Sequence, residues 1–243
     1  MSGILNIPIF IGSVKPSYQR FINLGVTSKN KMSSNNKINV NTLNANKINY
    51  NVHGVRIFKD LSFKLLRGQS MKVIGYNGSG KTTLIKILLG YYPINNGQIF
   101  INDISADSSN KLYISNFAVC FQFPSIIDEN LEENLSLFTQ KTNLHTSNHV
   151  LIDKWIQQVF DIKHISQNEI SGGQLKKIAL LRVLLSDRDI LIFDEPTESL
   201  DITSKKEFFE ILDSIKPSKI IIVITHDIDF NWDYEKIIQI GER

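Results

Sequence analysis

The chain has 243 residues, of which 42% are hydrophobic and 21% charged, and a formal net charge of +3. That is enough apolar material for one sizeable core, with or without a small subdomain, and too little charge to point to a nucleic-acid or acidic-membrane partner. The lone Cys120, inside the apolar stretch Phe117-Ala118-Val119-Cys120-Phe121, excludes an intrachain disulfide and reads as a buried core thiol, and no apolar run approaches the ~18 residues that would span a bilayer.

Residues 1–49 are rich in Asn and Ser, carry Lys15, Arg20, Lys29, Lys31, Lys37 and Lys47, and contain no Asp or Glu. Three readings compete for this arm. It is a disordered, solvated segment with little to bury, an acid-poor organelle transit segment, or the end of a membrane helix and its linker; the polar bias ranks disorder first. From Tyr50 onward, short β-rich runs alternate with longer helical ones, which predicts an α/β fold with a mostly parallel core sheet. Residues 55–63 and 98–102 lie beside the turn signals Arg67-Gly68 and Asn95-Asn96-Gly97 and are assigned to a small antiparallel β portion.

Next comes Met71-Lys72-Val73-Ile74, a strand pattern, and then Gly75-Tyr76-Asn77-Gly78-Ser79-Gly80-Lys81-Thr82, followed by a helical run from Thr83 to Leu89. Strand, glycine-rich loop and helix in that order bind a nucleoside triphosphate. The glycines Gly75, Gly78 and Gly80, with Asn77 and Ser79, bring backbone N–H groups close to phosphates; Lys81 reaches the β and γ oxygens, and the Thr82 hydroxyl sits on Mg²⁺. The helix beginning near Thr83 directs its positive end at the same anion.

Residues 117–121, 190–193 and 220–224 are near-continuous apolar runs, as strands buried on both faces require. Each ends in polar groups: Gln122, Asp194-Glu195 and Thr225-His226. Ligands of parallel sheets bind at the carboxyl ends of strands, so neighbouring strands would turn these groups and the phosphate loop into one crevice. Singly, Gln122 or His226 is more often a solvated strand end. Asp194-Glu195 is more informative, since one carboxylate can support Mg²⁺ while the other activates water. Between residues 124 and 170 the pattern is helical, with Leu131, Leu135 and Phe138 on one face and Ile152, Trp155, Ile156, Val159 and Phe160 on another, predicting an inserted helical subdomain. Ser171-Gly172-Gly173-Gln174 then opens a further helix, with Ser171 as its N-cap. Two glycines at a helix start also allow close approach of an anion, although a capped helix alone would explain them.

Taken in order, these motifs resemble the nucleotide-binding domain of ABC transporters over about residues 50–241. Gly75 to Thr82 matches the Walker A loop, Gln122 the Q-loop, Ser171 to Gln174 the family signature, and Ile190 to Asp194 Walker B. Glu195 matches the catalytic carboxylate, Ser199-Leu200-Asp201 the D-loop, and His226 the switch histidine. The resemblance implies a P-loop NTPase fold and an ATPase that uses ATP and Mg²⁺. It implies two such domains, as a homodimer or paired with a second ABC ATPase domain, closing head to tail so that each ATP lies between one Walker A loop and the other copy's signature. By the same resemblance Glu195 is general base, Lys81 and His226 contact the γ-phosphate, Thr82, Gln122 and Asp194 surround Mg²⁺, and Asp201 belongs to the shared site. It also implies a transmembrane partner, no nucleic acid, and a place on the cytoplasmic face of a membrane, with organelle import through the arm as an added reading.

Three features depart from the family pattern. Ile170 replaces the usual Leu, a volume-conserving change. The adenine-stacking aromatic aligns near Val52, with Tyr50 two positions earlier on the same strand face. Residues 163–169 lack the glycine- and glutamate-containing segment common in exporters with fused membrane domains, which favours a separate ATPase subunit. The alternatives are a non-transport ABC ATPase acting on DNA or the ribosome, against which no sustained heptads and no second cassette are found, and a regulatory module that does not hydrolyse ATP, against which Glu195 and His226 both speak.

Overall fold

The computed structural model describes residues 39–105, 111–126, 131–136, 149–162, 170–226 and 232–241. In chain order the elements are β1 (Thr42–Val52), β2 (Val55–Leu66), β3 (Ser70–Ile74), α1 (Lys81–Leu88), β4 (Asn96–Ile101), β5 (Ile104–Ser105), α2 (Lys111–Ile114) and β6 (Phe117–Cys120). They continue with α3 (Leu131–Ser136), α4 (Val150–Phe160), α5 (Gly172–Leu184), β7 (Ile190–Asp194), α6 (Ile202–Ile215), β8 (Ile220–Ile224) and β9 (Lys236–Gln239). Residues 1–38 of the arm, Phe138, and the departure at 163–169 lie outside the described residues.

Four strands form an antiparallel sheet in the order β2-β1-β4-β5. Its first hairpin turns on His53-Gly54, both at positive φ (49° and 80°), the two-residue geometry that matches the twist of the flanking strands. The compositional boundary expected at residues 49/50 falls inside β1. Leu43, Ala45 and Ile48 are buried, Val40 is fully buried, and its N–H donates to Asp189 Oδ2 at 3.1 Å. An irregularity between Ala45 and Ile48, with Lys47 at φ 48°, adds a residue to the strand. It breaks the period-two pattern that would have marked residues 42–49 as sheet.

The second sheet has the order β6-β7-β8-β3-β9, and every pairing in it is parallel. Every residue of β7 and β8 is buried, because both faces are covered. Alternate residues divide between two cores: Ile220, Ile222 and Ile224 pack with Val73 and the antiparallel sheet on one side, while Ile221 and Val223 pack with Phe193, Phe208 and the helices on the other. The edge strand β9 was not expected from the sequence. It is four residues long with alternating burial, too short and too polar to read as core.

Helix α4 buries Ile152, Trp155, Ile156 and Val159, the spacing of a single apolar stripe. That stripe, with Leu131 and Leu135 of α3, joins the core cluster of α5. Polar anchors fix the packing. Arg182 of α5 donates to the Asn134 carbonyl (3.0 Å) and to the Ser125 carbonyl (2.8 Å). Trp155 Nε1 donates to Glu207 Oε2 of α6 at 2.6 Å. Cys120 is buried, and burial pushes its thiol up to about 11.

Candidate functional site

The parallel order places the carboxyl ends of β6, β7, β8 and β3 side by side. The phosphate loop leaves β3, which lies between β8 and the edge strand β9. Its glycines have specific steric reasons: a Cβ on Gly75 would lie 2.4 Å from the Ile240 carbonyl oxygen and 2.5 Å from Ser79 Oγ, and Gly80 holds φ at 103°. Lys81 opens α1, is 9% exposed, and donates from Nζ to the carbonyls of Gly75 (2.8 Å) and Tyr76 (3.0 Å). Burial lowers its pKa, against the opposing pull of the Glu195 and Asp194 carboxylates.

Thr82, the next residue, donates from Oγ1 to Asp194 Oδ2 at 3.1 Å. Asp194 ends β7 and is 3% exposed. Loss of solvent pushes its carboxyl up to about 6; the Glu195 charge adds to this, while the Thr82 hydroxyl and the Lys176 and Lys81 cations oppose it. A carboxyl raised in the fold favours its protonated form, so ionising it costs stability. That cost is absent below the unfolded pKa, grows between about pH 4 and 6, and is fully present above 6. Nucleotide-free Asp194→Asn should therefore be more stable than the parent at pH 7 by up to about 3 kcal/mol. Thermal melts should show the advantage shrinking as pH falls from 7 towards 4.5; an advantage that grows on acidification would refute this.

Glu195 follows in a left-handed conformation, φ 46°, a conformation that costs a non-glycine residue energy and is held by its surroundings. Its N–H donates to the Ile224 carbonyl at 2.8 Å, pinning it to the end of β8. Its Oε2 accepts from the His226 backbone N–H at 3.2 Å. Its Oε1 lies 3.5 Å from His226 Nε2 and, although buried, accepts no hydrogen bond. A buried carboxylate oxygen with unused lone pairs beside an imidazole is a proton acceptor in waiting.

A cleft of about 730 Å³ unites these groups: Asn77, Gly78, Gly80, Lys81, Thr82 and Thr83 form one wall, and Gln122, Asp194, Glu195 and His226 form the other. Gln122 Nε2 donates to Glu198 Oε2 at 3.3 Å. Gly75 and Ser79 belong to the loop but not to the cleft lining, Ser79 being buried at 5% exposure. The sequence reading missed Thr197, Glu198 and Lys205, which also line the cleft; they follow Glu195 in turns and a helix start, without a residue pattern of their own. It also missed Lys176, whose signal was a charged residue on the inner side of an apolar helix.

The remaining expected residues lie elsewhere. Ser171 and Gln174 form a reciprocal capping box at the start of α5, Ser171 Oγ accepting from the Gln174 N–H and Gln174 Oε1 accepting from the Ser171 N–H. Gly172 lines an adjoining depression of about 220 Å³ that shares Gln122, Glu198 and Ser199 with the cleft, and a Cβ on Gly173 would lie 2.9 Å from the Ser199 carbonyl oxygen. Asp201 caps α6, accepting from Ser204 N–H at 2.8 Å and from its hydroxyl at 2.7 Å, bonds that lower its pKa. Tyr50 stacks on Tyr92 with ring centroids 6.0 Å apart, away from the cleft lining. Thus one chain assembles the phosphate loop, Gln122, Asp194, Glu195 and His226, and leaves Ser171–Gln174, Asp201 and Tyr50 outside.

Residues 58–198 match the family model described as ABC transporter. The chain is 34% identical over 209 residues to the energy-coupling factor transporter ATP-binding protein EcfA1 of Thermotoga maritima, covering 82% of this chain and 78% of that protein. It is 32% identical over 188 residues to EcfA of Aster yellows witches'-broom phytoplasma, covering 75% and 69%. Among solved structures, a bacterial Atm1-family ABC exporter with ATP bound superposes with a TM-score of 0.72 at 17% identity, over 84% of this chain and 38% of that one; at that identity the likeness concerns the fold alone. With its glycine loop, paired strand-end carboxylates and capped Ser-Gly-Gly-Gln helix, matched over more than half its length, the chain belongs to the ABC transporter family.

Proposed function

We propose that this chain is the ATP-binding and ATP-hydrolysing subunit or domain of an ABC transporter, converting ATP and water to ADP and phosphate. The observation that carries the reading is the convergence of Lys81, Thr82, Gln122, Asp194, Glu195 and His226 on a single cleft. The donor set suits Mg²⁺: a hydroxyl and a carboxylate lie 3.1 Å apart, both are hard oxygen donors, and burial holds the carboxyl near 6, a cost that a cation beside it would remove. Thr82, Asp194 and Gln122 would hold the ion, which supplies positive charge to the phosphate oxygens when bound.

The protein's own groups do the rest. Lys81 exchanges its loop carbonyls for phosphate oxygens. Glu195 accepts the proton of the attacking water, and His226 keeps the carboxylate oriented while contacting the γ-phosphate. The Ser171–Gln174 helix start, unused by its own cleft, serves the triphosphate of a second copy or a related domain, so that ATP joins the two head to tail. Closure is passed to a membrane-embedded partner, which places the chain at the cytoplasmic face. No helix among the described residues is long and apolar enough to cross a membrane; residues 1–38 keep the import reading as a proposal of its own.

Light scattering on the pure chain with Mg²⁺ and a non-hydrolysable ATP analogue should report a doubled mass, and phosphate release should follow with ATP. A chain that stays monomeric under saturating nucleotide, and releases no phosphate even with a membrane partner, would overturn the proposal.

A further inference from the structure

Lys176 is 2% exposed, two residues past the Ser171–Gln174 cap and on the inner side of α5. Burying an ammonium is expensive unless its protons find acceptors. Nζ donates to the Gln122 carbonyl at 2.9 Å and to the Glu195 carbonyl at 3.1 Å. Those are main-chain oxygens of two cleft-lining residues, one following β6 and the other following β7. The arrangement closes on itself: Glu198 N–H also donates to the Glu195 carbonyl, at 3.3 Å, and Glu198 Oε2 accepts from Gln122 Nε2 at 3.3 Å. One ring of hydrogen bonds therefore joins α5, the segment after β6 and the turn after β7.

We infer that Lys176 is a positioning residue for hydrolysis, fixing the backbone of Glu195 so that its carboxylate stays aimed into the cleft, and coupling that aim to the placement of α5 and Gln122. Glu195 sits at φ 46°, where a residue with a Cβ stays only when several bonds restrain it. Three do so here: its N–H on Ile224, and its carbonyl on Lys176 and Glu198. Only the Lys176 bond comes from the helix that begins with the signature. A shift of that helix start would move Nζ, and with it both carbonyls. The inference rests on the ATPase reading given above.

The test uses the full chain with two substitutions. Lys176→Met keeps length and packing but removes the donors; Lys176→Arg keeps donors. Lys176→Met is expected to lower kcat about 10- to 100-fold, the usual loss when an outer support of a reacting group is removed, with KM and the affinity for a fluorescent ATP analogue within about threefold of the parent. Lys176→Arg is expected to recover most of the lost kcat. Hydrogen exchange should quicken at residues 195–198 and 121–123 of Lys176→Met while residues 71–74 keep their protection. A parent-like kcat with unchanged exchange would overturn the inference and leave the ATPase reading standing. So would a loss shared equally by kcat, nucleotide affinity and melting temperature, or a Lys176→Arg variant as slow as Lys176→Met. A parent chain without turnover would overturn the ATPase reading and, with it, this one.

Discussion

Replacing Glu195 by Gln is expected to cut ATP turnover by about 10²- to 10⁴-fold, a loss of about 3 to 5 kcal/mol of transition-state stabilisation, while leaving ATP binding nearly intact. The substitution changes little besides basicity. Gln has the same length, its oxygen can still accept the His226 N–H that Glu195 Oε2 accepts at 3.2 Å, and φ 46° is set by backbone bonds that do not involve the side chain. What disappears is the carboxylate oxygen that lies buried without a hydrogen bond, 3.5 Å from His226 Nε2. With nucleotide bound and its cleavage blocked, the ATP-joined dimer should accumulate. Single-turnover phosphate release and gel filtration in MgATP would measure the two effects. Turnover at the parent rate would remove Glu195 from the chemistry.

Gly75→Ala is the second large effect. The added carbon would lie 2.4 Å from the Ile240 carbonyl oxygen and 2.5 Å from Ser79 Oγ, and neither neighbour can withdraw easily. Ile240 is tied to β3, its N–H donating to the Ile74 carbonyl at 2.8 Å, and Ser79 is 5% exposed. The loop itself must yield. Such overpacking costs about 1 to 3 kcal/mol of stability, and a phosphate cradle displaced by about an ångström costs about 100-fold in kcat/KM. Gly78→Ala is the control. Gly78 has φ 84° with no protein atom within 4 Å of where the Cβ would go, so its loss of stability without nucleotide should be only the left-handed backbone cost of about 1 to 2 kcal/mol. Calorimetric titration with an ATP analogue and thermal melts would rank the two. Equal effects would mean that backbone strain, and not the clash, governs this loop.

Legibility in the sequence followed physical simplicity. The strands buried on both faces, β7 and β8, were readable because a doubly covered strand must be apolar throughout, and their ends pointed to Asp194, Glu195 and His226. The phosphate loop was readable because its spacing is dictated by phosphate geometry. Where local order is irregular, reading failed. Residues 42–49 of β1 escaped because the irregularity after Ala45 shifts its apolar side chains out of period, inside a segment whose Asn content suggested solvation. β9 escaped because an edge strand needs little apolar character. The stacking of Tyr50 on Tyr92 is a tertiary contact that sequence spacing does not foresee, and it leaves the adenine-stacking assignment of Tyr50 as a proposal. Lys176 looked like one of two consecutive lysines in a helix; only the packing of α5 on β6 and β7 distinguishes it from Lys177, whose Nζ donates to Gln158 Oε1.

Cys120, the one cysteine of the chain, is buried in β6 with its thiol pushed up to about 11, so at neutral pH almost none of it is the reactive thiolate. The native protein therefore supplies a silent background for site-directed labelling. A spin probe or dye attached through a cysteine engineered on the outer surface of α5 or α6 would report from one address, and motions of the α5 start relative to the phosphate loop could be followed without first stripping the molecule of its own thiol.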